Sequence, residues 1–317
     1  MRRITFSEMR TDHRIKNGSE RWENGSGDGQ NGSERWKNGK PKVSLIIPTL
    51  EEADNLKFVL PEIPEIVDEL IVVDGGSTDG TVDIARELRP DAKIIIDTVP
   101  GKGNALRRGF EAATGDILVM MDADGSMDPL DIGTFVAVLE AGADVAKGSR
   151  FLQGGGSADM TAVRRLGNRA LTRAVRLAFG GRYSDLCYGY MAFWRNVLPT
   201  FDGTVRGFEI ETFLNIRALA AGLRVVEVAS FESPRLYGES HLRTFRDGSR
   251  VLLTIGRERR RISKARAERG IPLPAGGHVT PVRVPKEHPA EVDDTGQPPA
   301  PVTDIFPDPP APLANEA

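Results

Sequence analysis

Several features that common functional sites require are scarce in this chain of 317 residues. Its one cysteine, Cys187, excludes an intramolecular disulfide and any metal site built from several thiolates. Of the four histidines, only His241 lies away from the two ends, so neither a Ser-His-Asp triad nor a two-histidine metal site is expected. The chemistry is therefore expected to come from carboxylates, arginines and a hard metal ion.

Long apolar runs and excess positive charge are missing as well. No stretch approaches 18 apolar residues, and no apolar run follows the first residues, so neither a membrane-spanning helix nor a signal peptide is predicted. The net charge of −3 argues against a general nucleic-acid binder. These absences favour a cytoplasmic protein without a nucleic-acid partner.

The two ends of the chain differ in composition from its middle. Residues 1–40 contain few aliphatic side chains and repeat the motif Asn-Gly-Ser-Glu-Arg-Trp at 17–22 and 31–36. Residues 270–317 hold 12 of the 21 prolines and are rich in acids. Neither composition can bury enough apolar surface to fold alone, so both ends are predicted to be disordered tails. The folded body is expected within 41–269.

The body alternates between short apolar runs and segments with helical patterning. The predicted strands lie at 43–47, 70–73, 93–96 and 117–121, with another from 144; helices are predicted at 51–60, 78–88, 102–113 and 129–141. This alternation predicts an α/β domain with a mostly parallel central sheet flanked by helices. Ligands of such sheets bind beyond the carboxyl ends of the strands.

Polar residues follow four of these strands. The segments are 48–52, 74–81, 122–126 and 148–150. An isolated Asp-Gly turn is usually only a turn, but four polar strand ends at one edge of a sheet indicate a binding site.

The pair Asp122 and Asp124 directly follows a buried strand. In extended backbone these side chains point the same way, so the two carboxylates repel each other unless a cation lies between them. Mg²⁺ or Mn²⁺ prefers such oxygen ligands and commonly keeps substrate phosphates in its shell, which suggests a nucleoside diphosphate. The alternative is a solvated turn. Neither a P-loop nor a dinucleotide-binding fingerprint is present, and the glycines around Lys102 are only a weak phosphate signal.

Taken together, these motifs resemble glycosyltransferase family 2, whose members have the GT-A fold. The resemblance rests on 43–52, 72–81, 102–105, 122–124 and 148–151, and it covers about 43–255. Within the family the chain looks most like the dolichyl-phosphate or polyprenyl-phosphate sugar synthases. The resemblance implies a single GT-A domain at 41–256, and the basic run at 257–269 is predicted to form a helix after it.

The resemblance also implies roles for individual residues. The nucleotide sugar would be bound by Pro48, Thr49, Glu51, Asp74, Lys102 and Asp122. The metal would be held by Asp122 and Asp124, with Ser126 at the position where several relatives have a third ligand. The acceptor phosphate would be received by Arg150, Arg164, Arg165, Arg235 and Ser240. His241 replaces the lysine that ends the pattern Arg-x-x-Gly-x-Ser-Lys, which would weaken that phosphate contact.

Two acids, Glu209 and Glu211, begin the helix predicted after Gly207, and they join Asp124 and Arg150 as catalytic candidates. Residues i and i+2 diverge on a helix, so only one of the two acids is expected to face the site. A phosphate acceptor is already ionised near pH 7 and needs no general base. A hydroxyl acceptor would need one.

The resemblance implies an inverting, metal-dependent transfer of a hexose from a UDP- or GDP-sugar to a polyprenyl-phosphate acceptor. Three alternatives remain: a family 2 transferase acting on a sugar or small-molecule hydroxyl, a nucleotidyltransferase, and a degenerate GT-A fold that acts as a binding scaffold. The basic run at 257–269 follows apolar residues 251–255. It is typical of a solvated helix and equally of a helix in peripheral contact with the inner face of an anionic membrane.

Overall fold

The apolar runs form the strands of one eight-stranded sheet in the computed structural model, which describes residues 39–203, 205–238, 244–269 and 279–282. The first half of the chain contains β1 (Val43–Thr49), α1 (Ala53–Val59), β2 (Glu69–Asp74), α2 (Thr81–Leu88), β3 (Lys93–Ile96), α3 (Lys102–Ala112), β4 (Ile117–Met120), α4 (Asp131–Glu140) and β5 (Val145–Ser149). A 3₁₀ turn, Leu60–Glu62, follows α1. The predicted alternation of strands and helices is confirmed here.

The second half of the chain is less regular. It contains β6 (Gly156–Ser157), α5 (Ala162–Phe179), β7 (Met191–Trp194), α6 (Ile210–Ala220), β8 (Val225–Ala229), β9 (Phe231–Glu232), α7 (Thr244–Arg269) and β10 (Val279–Val282). A 3₁₀ segment, Arg195–Phe201, follows β7. The basic run at 257–269 is therefore the second half of one continuous helix.

The strand order of the large sheet is β10-β8-β5-β7-β4-β1-β2-β3. Every pair is parallel except those of β7, which lies antiparallel between β4 and β5. The prediction of a mostly parallel sheet is thus confirmed. Strands β6 and β9 form a separate two-stranded parallel sheet.

The buried strands explain why this order is stable. All four residues of β4 and all five of β5 and β8 are buried, as expected when helices cover both faces of a parallel sheet. Helix α6 is also buried along nearly its whole length, and Phe213, Leu214 and Ile216 join the hydrophobic core. α6 is therefore held in place by packing in the hydrophobic core.

One prediction about the C-terminal tail needs correction. Val279–Val282 lies inside the segment expected to be disordered, yet it forms β10 and pairs in parallel with β8. The backbone of β8 offers an open sheet edge, and a short valine-containing segment can complete it despite its proline-rich surroundings. Among the helices of the described ranges, none has the length and apolar content needed to cross a bilayer.

Candidate active site

A cavity of about 550 Å³ lies at the carboxyl ends of β1, β4 and β5. Its lining includes Thr49 from β1, the segment after β4, and Arg150 directly after β5. Helices α5, α6 and α7 contribute further walls through residues such as Asn168, Glu211 and Val251. The position agrees with the general rule for parallel sheets.

The amino group of Lys102 joins two carboxylates in the cavity wall. Its Nζ lies 2.6 Å from Oδ1 of Asp122 and 2.8 Å from Oε1 of Glu211. Gly189 packs against this group so closely that a Cβ there would lie 2.8 Å from the Lys102 Nζ. A glycine at this position leaves room for the ammonium, which stands over the ring of Phe208 at 5.9 Å.

Lys102, Asp122 and Glu211 form an ion triad of one cation and two carboxylates, and their pKa values reflect this excess of negative charge. Burial alone would lower the pKa of Lys102, but the attraction of two carboxylates outweighs it and raises that pKa above its usual value. Burial raises the pKa of Glu211, and the like charge of Asp122 adds to the rise, whereas Lys102 offsets it only in part. The lysine therefore stays charged, and Glu211 holds a proton more readily than an ordinary glutamate.

Asp124 contacts different groups from Asp122, because β4 ends at Met120 and the backbone bends at 123–125 instead of staying extended as predicted. Its Oδ1 accepts a hydrogen bond from the Ser126 amide at 3.1 Å, and its Oδ2 is 3.8 Å from Nη1 of Arg235. Arg235 also pairs with Glu52, a buried acid whose pKa is raised by burial. The backbone of Tyr237 exchanges two hydrogen bonds with the Asn55 amide, which holds this segment against α1.

Arg150 lies between two carboxylates. Its Nε and Nη2 donate to Asp185 at 2.7 and 3.0 Å, and its Nη1 donates to Glu232 at 3.0 Å. The guanidinium also stands over the ring of Tyr188 at 4.9 Å. Burial disfavours the charge on Asp185, but the bonds and charge of Arg150 outweigh burial and lower the pKa of that carboxyl. The arginine is thus fixed in the cavity wall and already neutralised.

Helix α5 brings one further predicted arginine to the cavity. Arg164 lines the cavity and pairs with Asp159 at 2.7 Å. Arg165 is exposed and lies outside the lining, because adjacent residues of a helix point in different directions. Ser240 lies outside the described residues.

Three other predicted residues lie outside the cavity lining. Asp74 is buried, and its carboxylate accepts hydrogen bonds from the Ser77 amide and hydroxyl at 2.8 and 2.6 Å, so it orders the turn after β2. Glu51 accepts a bond from the Thr78 amide at 2.8 Å and has a positive φ of 56°. Glu209 precedes α6 and packs against Gly207, whereas Glu211 faces the cavity. Of the two acids expected to diverge, the second is the one that reaches the site.

The charges that line the cavity do not balance. Eight carboxylates and four cationic side chains border it. A diphosphate would bring further negative charge, so a bound cation is electrostatically favourable here. Asp122, Asp124 and the Ser126 hydroxyl are hard oxygen donors that suit Mg²⁺ or Mn²⁺. Within the described ranges, no three His, Cys or acidic side chains converge as a closed metal cage requires, so substrate oxygens would have to complete the shell.

The sequence patterns did not indicate several of the residues that line the cavity. Glu232 follows no recognisable motif, and Gly189 is significant only because Lys102 packs against it. Cys187 also lines the cavity, and burial raises its pKa to about 12. Its thiol therefore stays protonated at neutral pH and is a poor nucleophile.

Comparisons with known proteins identify the family. The profile described as Glycosyl transferase family 2 matches residues 44–201. Glycosyltransferase AglJ of Haloferax volcanii is 31% identical over 218 residues, which cover 68% of this chain and 71% of that protein. The chain belongs to glycosyltransferase family 2. It is a glycosyltransferase by family, and the predicted enzyme class is confirmed.

Two other relatives of this family 2 transferase bear on its branch and fold. The polyprenol monophosphomannose synthase of Mycolicibacterium smegmatis is 32% identical over 213 residues, 62% of this chain and 80% of that one. This supports the predicted resemblance to the polyprenyl-phosphate sugar synthase branch. Glucosyl-3-phosphoglycerate synthase of Mycobacterium tuberculosis, crystallised with Mn²⁺ and UDP, superposes with a TM-score of 0.55 at 27% identity, covering 73% and 81% of the two chains. The GT-A fold is confirmed.

Proposed function

We propose that this family 2 transferase moves a hexose, with inversion, from a UDP- or GDP-sugar to a polyprenyl-phosphate acceptor. One observation carries the proposal: a single cavity contains the carboxylates Asp122 and Asp124 together with the acceptor-side arginines Arg150 and Arg164. The relative named polyprenol monophosphomannose synthase supports the same acceptor class.

The donor half of the cavity suits a nucleoside diphosphate and a divalent cation. Asp122 and Asp124 would hold Mg²⁺ or Mn²⁺, as the Mn²⁺ and UDP bound by the mycobacterial neighbour suggest. When bound, such an ion stabilises the negative charge that develops on a leaving diphosphate. Lys102 is fixed beside Asp122 and adds a permanent positive charge to the same region.

The acceptor half supplies cations instead of a base. A phosphate monoester is ionised at neutral pH, so its oxygen can attack the anomeric carbon once it is held in line. Arg150 and Arg164 are the lining cations on this side, and Arg235 adds a third near Asp124. Arg165 is exposed on α5 and would act only outside the cavity.

A hydroxyl acceptor is the second candidate, and one observation favours it. Glu211 is buried in the cavity wall, and its pKa is raised by burial, as suits a general base. The variant Glu211→Gln keeps an oxygen that can accept from Lys102 but removes the base. Transfer to a hydroxyl should then fall by roughly 10² or more, whereas transfer to a phosphate should fall by about tenfold or less.

The direct experiment offers the full chain each UDP- and GDP-hexose with Mn²⁺ or Mg²⁺. The acceptors are a short polyprenyl phosphate, the matching prenyl alcohol, and phosphoglycerate. Asp124→Asn should abolish transfer, and the control Asp128→Asn, which alters an acid outside the cavity lining, should not. Transfer to the alcohol or to phosphoglycerate, but not to the prenyl phosphate, would overturn the proposal.

A lipid acceptor also requires contact with a membrane, and α5 and α7 are suited to it. α5 carries five arginines and no acid; α7 carries nine basic and three acidic residues, although the whole chain has a net charge of −3. Leu166 and Leu253, on these helices, are 69% and 71% exposed. Basic residues beside exposed leucines favour an anionic lipid surface.

Flotation with phosphatidylglycerol vesicles tests this contact. The double variant Leu166→Ser and Leu253→Ser should bind less, as should the unaltered protein at high salt. Leu130→Ser removes a leucine that is 67% exposed at the start of α4 and serves as the control. Equal binding by all three proteins would exclude α5 and α7 as the membrane surface.

A further inference from the structure

The two carboxylates that hold Arg150 differ in how firmly they are fixed. Asp185 is completely buried and chelates two different guanidinium nitrogens. It also accepts the backbone amides of Arg150 and Cys187, each at 3.2 Å. Asp185 therefore has no freedom to leave the arginine, and it sets the orientation of the guanidinium.

Glu232 is held more loosely. Both of its oxygens accept from the same nitrogen, Nη1 of Arg150, at 3.0 and 3.1 Å. Its side chain is 11% exposed and lines the cavity. Its other hydrogen bond comes from the Ser157 hydroxyl, because the small sheet of β6 and β9 sets these residues side by side. Nη1 is thus the guanidinium nitrogen whose carboxylate partner is the less firmly held of the two.

We propose that Glu232 is an exchangeable counter-ion that determines acceptor specificity. It satisfies Nη1 of Arg150 while the acceptor side is empty, and the phosphate of the acceptor takes its place. No covalent bond changes in this exchange. The proposal rests on the proposed phosphate acceptor and adds Glu232 as the residue that occupies the phosphate-binding position when no acceptor is bound.

The exchange follows from the cost of leaving charged groups unpaired. Without Glu232, a buried N–H group of the empty enzyme would lose its partner, which is unfavourable. A phosphate dianion offers several oxygens to a guanidinium and can compete with a carboxylate. A neutral hydroxyl cannot, so Glu232 selects against it. After displacement, Glu232 keeps the Ser157 hydroxyl and its access to solvent.

Two substitutions should change phosphate affinity in opposite directions. Glu232→Gln removes the competing charge, so the Kd for inorganic phosphate, measured by calorimetry, should fall about tenfold. The KM for a short polyprenyl phosphate should fall with it, while the KM for the donor stays unchanged. Ser157→Ala leaves the displaced Glu232 without its second partner, so the phosphate Kd should rise severalfold. Asp247→Asn, which removes one charge from the cavity lining without touching Arg150, is the control.

The measurements separate this inference from the proposed function. A higher phosphate Kd in Glu232→Gln would mean that Glu232 is a fixed structural partner, and the exchange would be wrong. An equal gain in Asp247→Asn would assign the effect to general charge and would also refute the exchange. If the phosphate Kd falls in Glu232→Gln and rises in Ser157→Ala, but the enzyme transfers no sugar to polyprenyl phosphate, the exchange is supported and the proposed function is overturned.

Discussion

Replacing Lys102 with methionine should destabilise the fold, and the loss should grow with pH. The ammonium lies 2.8 Å from Glu211, and the two side chains are only 11% and 7% exposed. At that distance the gross attraction is about 6 kcal/mol for an effective dielectric constant of about 20. Removing one partner of a buried pair typically costs about 3 to 5 kcal/mol, because the other charge remains buried. We expect a loss of that size at pH 8.

The pH dependence follows from the raised pKa of Glu211. A carboxyl whose pKa is higher in the folded than in the unfolded state makes stability decrease as the pH rises above the unfolded value of 4.5. In Lys102→Met the ammonium no longer lowers the pKa of Glu211. The decrease in stability with rising pH is therefore larger and extends to higher pH. At pH 5 Glu211 can take up a proton, and the cost should shrink by about 1.4 kcal/mol for each unit by which its pKa exceeds 5.

Urea unfolding at pH 5 and pH 8, in the presence of a chelator, measures both effects. The double variant Lys102→Met with Glu211→Gln removes the orphaned carboxylate and should recover about 2 kcal/mol or more at pH 8. Unchanged stability at pH 8, the same loss at both pH values, or no recovery in the double variant would each contradict the pairing of Lys102 with Asp122 and Glu211.

Three further predictions concern the same cavity. Gly189→Ala should lower the rate of transfer at least about tenfold, because the new Cβ displaces the ammonium of Lys102. The free energy of unfolding should fall by only about 1 kcal/mol or less, since the end of a flexible side chain can move. In the control Gly133→Ala the new Cβ meets open space, so the rate should not change. Asp185→Asn should lower the free energy of unfolding in urea by about 3 to 5 kcal/mol at pH 7. This loss should diminish below pH 3.8, because protonation of Asp185 in the unaltered protein removes the stability that its lowered pKa provides. A loss that stays the same at all pH values would contradict the pairing with Arg150. Removal of divalent ions with EDTA should abolish transfer, and added Mn²⁺ should restore it; full activity in EDTA would exclude a metal at the carboxylate pair.

Local patterns were sufficient to predict most of the first half of the fold. Short apolar runs predicted β1 to β4, and Val145 and Ala146 predicted the start of β5, because strands in the interior of a parallel sheet are largely apolar. The polar residues after these runs indicated the edge of the sheet at which the cavity lies. By contrast, the high proline content of 270–317 led to a prediction of disorder where β10 forms. That strand depends on the open edge of β8, which the local sequence does not show.

Contacts between distant parts of the chain decided the rest of the site. The sequence predicted that only one of Glu209 and Glu211 would face the cavity, but the packing of α6 in the core selected Glu211. Arg150 was predicted as an acceptor-side cation, but its partner Glu232 lies 82 residues away and belongs to no motif.

Local patterns in the sequence were enough to predict β1 to β5 and the helices between them, since both follow from where apolar residues recur, and they located an acidic pair just after β4. Which charges meet depends on packing between distant segments of the chain. Insertion of the antiparallel β7 between β4 and β5 sets the spacing of the two halves of the cavity. Pairings over such separations depend on how helices pack on the sheet, which no local pattern records.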